Sequence, residues 1–174
     1  MLEVEAKLRL QAGDADRVRE RLRRLGALRG DLEVQKDTYF AHPQREFAKT
    51  DEALRLRSTQ AGLELTYKGP RQGAAAAKTR REETVHLRDD PTAMLQALGF
   101  KPAAEVHKRR DQWTHGGCTI ALDTVDGLGD FVEVEVMGND VAEANRRIDA
   151  ALHDLGLEKV PRISASYLEM LQSR

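Results

Sequence analysis

Apolar and charged positions alternate from the first residues onward. Leu2, Val4, Ala6 and Leu8 fall on one parity, and Glu3, Glu5, Lys7 and Arg9 on the other. A period of two predicts a strand with one apolar and one charged face. Gly13-Asp14 then opens a helix in which Val18, Leu22 and Leu25 recur at helical spacing, and Gly26 stops it. A second strand runs from Leu32 to Phe40 and ends at His42-Pro43. Ala53 to Ser58 and Leu63 to Lys68 make a hairpin around Gln60-Ala61-Gly62, and Lys78 to Leu87 makes a fifth strand. Asp90-Pro91 begins a short helix with Met94, Leu95 and Leu98 as its apolar positions. Ala104 to Trp113, Cys118 to Val125 and Phe131 to Val136 are three further strands. Val141, Ala144, Ile148, Ala151, Leu152 and Leu155 place an apolar stripe on a closing helix, and Ser164 to Leu171 forms a last short one.

Eight strands, mostly neighbours in sequence, with helices between and after them, imply an α+β fold. The expected architecture is an eight-stranded antiparallel β-barrel with helices packed outside. No linker divides the chain, so residues 1–174 are expected to form one domain.

Composition narrows the function. The chain has 174 residues, and 28 basic side chains nearly cancel 29 acidic ones. General nucleic-acid and membrane-surface binders carry an excess of basic charge, so neither partner is expected. The lone Cys118 excludes an internal disulfide and a cysteine metal cluster, and the five histidines show no zinc-ligand spacing. The first residues are too charged for a signal peptide, and no apolar run reaches membrane-spanning length. A cytoplasmic protein is expected.

The informative charges sit on the strands. Glu3, Glu5 and Lys7 lie on the first, Arg55 and Arg57 on the third, and Glu64 and Lys68 on the fourth. Arg80, Arg81, Glu82 and Glu83 lie on the fifth, Lys108 and Arg110 on the sixth, Asp123 on the seventh, and Glu133 and Glu135 on the eighth. Two carboxylates at i, i+2 on one strand face repel unless a cation lies between them, and this happens twice, at Glu3/Glu5 and Glu133/Glu135. Hard divalent cations take such ligands, and magnesium shares phosphate oxygens with its substrate. Arginines fork onto phosphate oxygens, and lysines act as point charges. A barrel acidic on one side and basic on another suits a polyanion with a metal.

The ordered motifs resemble the CYTH superfamily, the triphosphate tunnel metalloenzymes, which include class IV adenylate cyclases and thiamine triphosphatases. Glu3-Val4-Glu5-Ala6-Lys7 matches its Glu-x-Glu-x-Lys signature. Gln35 to Phe40, Leu54 to Arg57, Leu65 to Pro70, Lys108 to Arg110, Leu122 to Val125, Gly127 to Glu135 and Ser166-Tyr167-Leu168 follow in family order. The resemblance implies a tunnel open at both ends that depends on one or two Mg2+ or Mn2+ ions. Carried over, Glu3, Glu5, Glu83, Asp123, Glu133 and Glu135 are metal ligands. Lys7, Arg55, Arg57, Lys68, Arg81, Lys108 and Arg110 hold phosphates. The family's Arg-x-Glu of the fifth strand fits Arg80/Glu82 as well as Arg81/Glu83: distance from Asp90-Pro91 favours the second pair, and parity against Val85 and Leu87 the first.

Glu5, Lys7 and Tyr39 are the candidate catalytic residues. The substrate expected is a small-molecule triphosphate. Hydrolysis of the terminal phosphate of inorganic, nucleoside or thiamine triphosphate leads, because a triphosphate cradle alone suffices for it. Cyclisation of ATP to cyclic AMP and pyrophosphate is the alternative. A non-catalytic module that binds polyphosphate or triphosphate ends is the second alternative, disfavoured by the full set of acidic positions. The sequence leaves a homodimer open, and a gate over one mouth is the reading for the loop Arg71 to Ala77.

Overall fold

A computed structural model describes residues 2–70 and 80–174. The loop Arg71 to Ala77, and Lys78 at the start of the expected fifth strand, lie outside the described residues. The elements run β1 (Leu2–Arg9), α1 (Asp14–Arg24), β2 (Leu28–Ala41), α2 (Phe47–Thr50), β3 (Ala53–Thr59), β4 (Gly62–Lys68) and β5 (Glu82–Leu87). They continue with α3 (Thr92–Ala97), β6 (Lys101–His115), β7 (Cys118–Val125), β8 (Gly129–Gly138), α4 (Val141–Asp154) and α5 (Tyr167–Gln172).

The strands form one antiparallel sheet in the order β1-β8-β7-β6-β2-β3-β4-β5. It curls into a half-barrel with β1 and β5 as its edges. No ladder joins the two edges among the described residues, yet Glu3 on β1 feels the charges of Lys68 on β4 and Glu82 on β5.

The apolar face of the sheet points outward. Val4, Ala6 and Leu8 of β1 and Val132, Val134 and Val136 of β8 pack against Val18 and Leu22 of α1 and Ala144, Ile148, Ala151 and Leu152 of α4. Full burial of a Val, Leu or Ile side chain contributes about 1.5–3 kcal/mol, so this outer layer holds the sheet in its curl. Asp140 caps α4 by accepting hydrogen bonds from the backbone of Ala142 and Glu143. With the apolar side taken by helices, the other parity is left to line the concave face.

Polarity on that concave face changes along the strands. Toward one end, Val106, Val125 and Phe131 replace charges and cluster with Leu128 and Tyr167. A capping box between Ser166 and Glu169 starts α5 there and sets Tyr167 at its first turn. At this end apolar side chains take the place of the charges. Three details differ from expectation. The four-residue α2 lies in a stretch with no helical period. In α3 only Leu95 is buried, while Met94 and Leu98 are exposed. β2 and β6 extend beyond the expected strands at both ends.

Candidate functional site

Strand register brings the charges together in pairs. Lys7 lies opposite Glu133, Arg57 opposite Asp37, Lys68 opposite Glu82, and Arg110 opposite Asp123. Opposite residues share a face, so each pair meets on the concave side. Lys7 Nζ stands 3.1 Å from Glu133. Arg57 donates to both carboxylate oxygens of Asp37 at 2.7 Å, the bidentate geometry that fixes a guanidinium plane. Lys68 Nζ donates to Glu82 at 2.7 Å. Arg110 donates to Asp123 through Nε at 2.8 Å and Nη2 at 2.6 Å, and also to Glu133.

Asp123 is the hub of the deeper layer. It accepts from Arg110, from Lys108 Nζ at 3.1 Å and from the Tyr167 hydroxyl at 3.0 Å. Lys7 Nζ lies 4.4 Å and Lys108 Nζ 5.1 Å from the centre of the Tyr167 ring. The ring's electron-rich face adds to their stabilisation. Burial would raise the Asp123 carboxyl, but Arg110 and Lys108 hold it below the usual carboxylate range. Lys108 is pushed down to about 8 by burial and by the Arg110 charge.

These strands enclose a cavity of about 210 Å³. Among the described residues seven cations line it: Lys7, Arg55, Arg57, Lys68, Arg80, Lys108 and Arg110. Six carboxylates face them: Glu3, Glu5, Asp37, Glu82, Glu133 and Glu135. Tyr39, Ser166 and Tyr167 complete the lining.

The carboxylates divide by environment. Asp37, Glu82 and Glu133 are engaged by cations and are held below their ordinary range despite burial. Glu3 is different. Burial first, then Glu135 and Glu82, raise it to about 7. Burial raises Glu135 too, with Glu5 and Glu133 among its like-charge neighbours. Glu5 and Glu135 are directly opposite in register. Like charges so placed destabilise a sheet. No three His, Cys, Asp or Glu side chains among the described residues already stand as a metal cage. The donor set nevertheless fits a hard divalent cation. Glu3, Glu5 and Glu135 offer only oxygens, repel one another, and border the cations of the lining.

Most of the residues picked out from sequence converge. Glu3, Glu5, Lys7, Tyr39, Arg55, Arg57, Lys68, Lys108, Arg110, Glu133 and Glu135 all line the cavity. Arg81 and Glu83 do not. They pair with each other on the outer face, 76 % and 61 % exposed, while Arg80 and Glu82 face inward. The alternation of β5 decides this, because Glu82 shares a face with its partner Lys68. Asp123 lies fully buried behind the lining and is occupied by three donors. Glu133 is likewise held by Lys7 and Arg110. Sequence reasoning missed Asp37 and Tyr167 as site residues. Asp37 shares the parity of Tyr39, a signal that was present.

The chain as a whole is similar to known proteins. The CYTH domain model matches residues 1–167. The chain belongs to the CYTH family. A Methanocaldococcus jannaschii protein that carries the provisional name adenylate cyclase is 34 % identical over 98 % of both chains. Adenylate cyclase CyaB of Aeromonas hydrophila is 29 % identical, over 95 % of this chain and 86 % of its own. A solved structure from Pyrococcus horikoshii matches with a TM-score of 0.81 and 35 % identity over 98 % of both chains. The CYTH family includes adenylate cyclases and triphosphatases, so an enzyme is the family expectation.

Proposed function

We propose that this protein is a divalent-metal-dependent triphosphatase, with the triphosphate held in the charged cavity of the half-barrel. The observation that carries the reading is the charge balance of the lining. Among the described residues, seven cations against six carboxylates leave a formal excess of about one positive charge. A triphosphate carries several negative charges near neutrality, so the lining alone does not neutralise it. A divalent cation held by Glu3, Glu5 and Glu135 would narrow that gap. When bound, such an ion supplies charge stabilisation on phosphate oxygens and orients the chain.

The protein's own residues do the rest. Arg55, Arg57, Lys68 and Arg80 face the cavity from β3, β4 and the approach to β5. Lys7, Lys108 and Arg110 face it from β1 and β6. Their carboxylate partners orient them in advance, so binding requires little reordering. Asp37 and Asp123 are positioning residues in this scheme, since each fixes the planes or ammonium groups that meet phosphate. Lys108 Nζ, held by Asp123 at 3.1 Å, adds an ammonium charge to the lining that meets the phosphates. Tyr39 lines the same space, and burial keeps its hydroxyl protonated.

Cyclisation of ATP is the second reading. It is favoured by two relatives that are named adenylate cyclases and align over nearly the whole chain. A product assay separates the two. Purified protein is given inorganic triphosphate or ATP, with magnesium, with manganese, and with chelator. Phosphate release that needs the metal, without cyclic AMP, is the expected result. Cyclic AMP with pyrophosphate establishes the cyclase reading instead, and no product from either substrate defeats both.

A further inference from the structure

One stretch of the sheet has a neighbouring strand on one side only. β2 pairs with β6 from Leu28 to Ala41, but with β3 only from Lys36 to Phe40. β3 turns away at Thr59 into its hairpin with β4. Among the described residues no strand lies along the other edge of Leu28 to Gln35. The Val34 N–H points to that open edge and donates to the Gln60 side chain at 3.2 Å. Main-chain groups alternate from edge to edge along a strand, so Leu32 presents its N–H and C=O on the same side as Val34. A free edge of this kind is a template for a further strand.

The side chains beside the edge select what can pair with it. Leu32 is 60 % exposed and Val34 51 %. They share the outer face with Asp111, which Arg19 of α1 holds from that side. Asp31 is exposed, and Glu33 accepts from Gln35 at 2.6 Å. Arg110 lies opposite Glu33 but is turned to Asp123 and Glu133. These carboxylates argue against a second copy of the chain. In an antiparallel pairing of two β2 edges, Leu32 against Leu32 sets Asp31 against Glu33, and Leu32 against Val34 sets Glu33 against its own copy. Like charges directly opposite destabilise a strand pair. We propose that the open edge of β2 docks an extended segment of another protein, in which apolar residues alternate with lysine or arginine. Main-chain hydrogen bonds to Leu32 and Val34 hold the added strand and displace Gln60. Its apolar side chains lie beside Leu32 and Val34, and its basic ones beside Asp31 and Glu33. The surface is separate from the charged cavity, whose lining includes none of these four residues.

The test uses two short peptides, blocked at both ends, in which valine alternates with lysine in one and with glutamate in the other. Calorimetry is expected to show binding of the lysine peptide only. Val34→Pro removes the edge N–H but leaves the β6 side of the strand intact, and is expected to weaken that binding at least about tenfold. Glu33→Lys is expected to exchange the preference between the two peptides, and carries the test if Val34→Pro does not fold. Amide hydrogen exchange at Leu32 and Val34 is expected to slow when the lysine peptide is present. Failure of the wild-type protein to bind the lysine peptide at millimolar concentration, or binding that both variants leave unchanged, overturns the proposal. A peptide-free dimer that Val34→Pro dissociates assigns the edge to a second copy and overturns it as well.

Discussion

Replacing Glu3 by Gln should make the metal-free protein more stable at alkaline pH. Glu3 is buried and faces Glu135 and Glu82, and its folded pKa is raised from 4.5 to about 7. The sign follows from linkage. Between pH 4.5 and 7 the unfolded chain releases this proton while the folded one keeps it. The stability present at low pH is therefore lost as pH rises through the folded pKa. A tenfold difference in proton affinity between folded and unfolded chain corresponds to about 1.4 kcal/mol. The rise at Glu3 therefore gives about 3 kcal/mol in full, of which about 2 kcal/mol falls between pH 5.5 and pH 8. Urea unfolding in chelator at those two pH values measures it. Wild type is expected to lose about 2 kcal/mol more than Glu3→Gln over this interval. Burial also raises Glu135, which adds to the wild-type slope in the same direction. Magnesium should flatten the wild-type slope, because a cation between the carboxylates favours their charged forms. Equal pH slopes for wild type and Glu3→Gln would refute the argument that these carboxylates are held in mutual repulsion.

Three further outcomes are expected. Asp123→Asn takes the charged partner from Lys108 and Arg110 and should cost roughly 3 kcal/mol in urea unfolding, the usual range for breaking a buried pair; a loss under about 1 kcal/mol contradicts it. Arg57→Ala should weaken binding of inorganic triphosphate at least about tenfold by calorimetry, while Arg81→Ala, on the outer face, should leave it nearly unchanged. Triphosphate affinity should fall as pH rises past about 8, because Lys108 is protonated below that value and neutral above it, and Lys108→Met should remove this inflection.

Period-two patterning made most of the concave face legible, since a strand whose apolar parity is covered by helices must turn its charged parity inward. That logic located Lys7, Arg55, Arg57, Lys108 and Arg110 without any knowledge of register. At Arg80 to Glu83 both parities are charged; parity against Val85 and Leu87 favours Arg80/Glu82, the pair that faces inward, and the distance from Asp90-Pro91 points to the wrong pair. Val85 is 53 % exposed on edge strand β5, so the apolar parity there is a weak signal. Asp37 is identified by its neighbour across the sheet, Arg57, and that pairing depends on a register the sequence does not state. Tyr167 enters the site from a six-residue helix at the far end of the chain, through a tertiary contact with Asp123. The apolar end of the concave face has the same cause. Val106, Val125 and Phe131 sit on the parity of the charged residues, and their partner α5 is distant in sequence.

The most direct test of the charged half-barrel as a metal-assisted triphosphate site is calorimetric titration of inorganic triphosphate into the chelator-treated protein, first without and then with magnesium. The account requires binding that strengthens at least about tenfold with magnesium and loses that gain in Glu5→Gln. Equally tight binding without the metal, or a magnesium effect that survives Glu5→Gln, would contradict it.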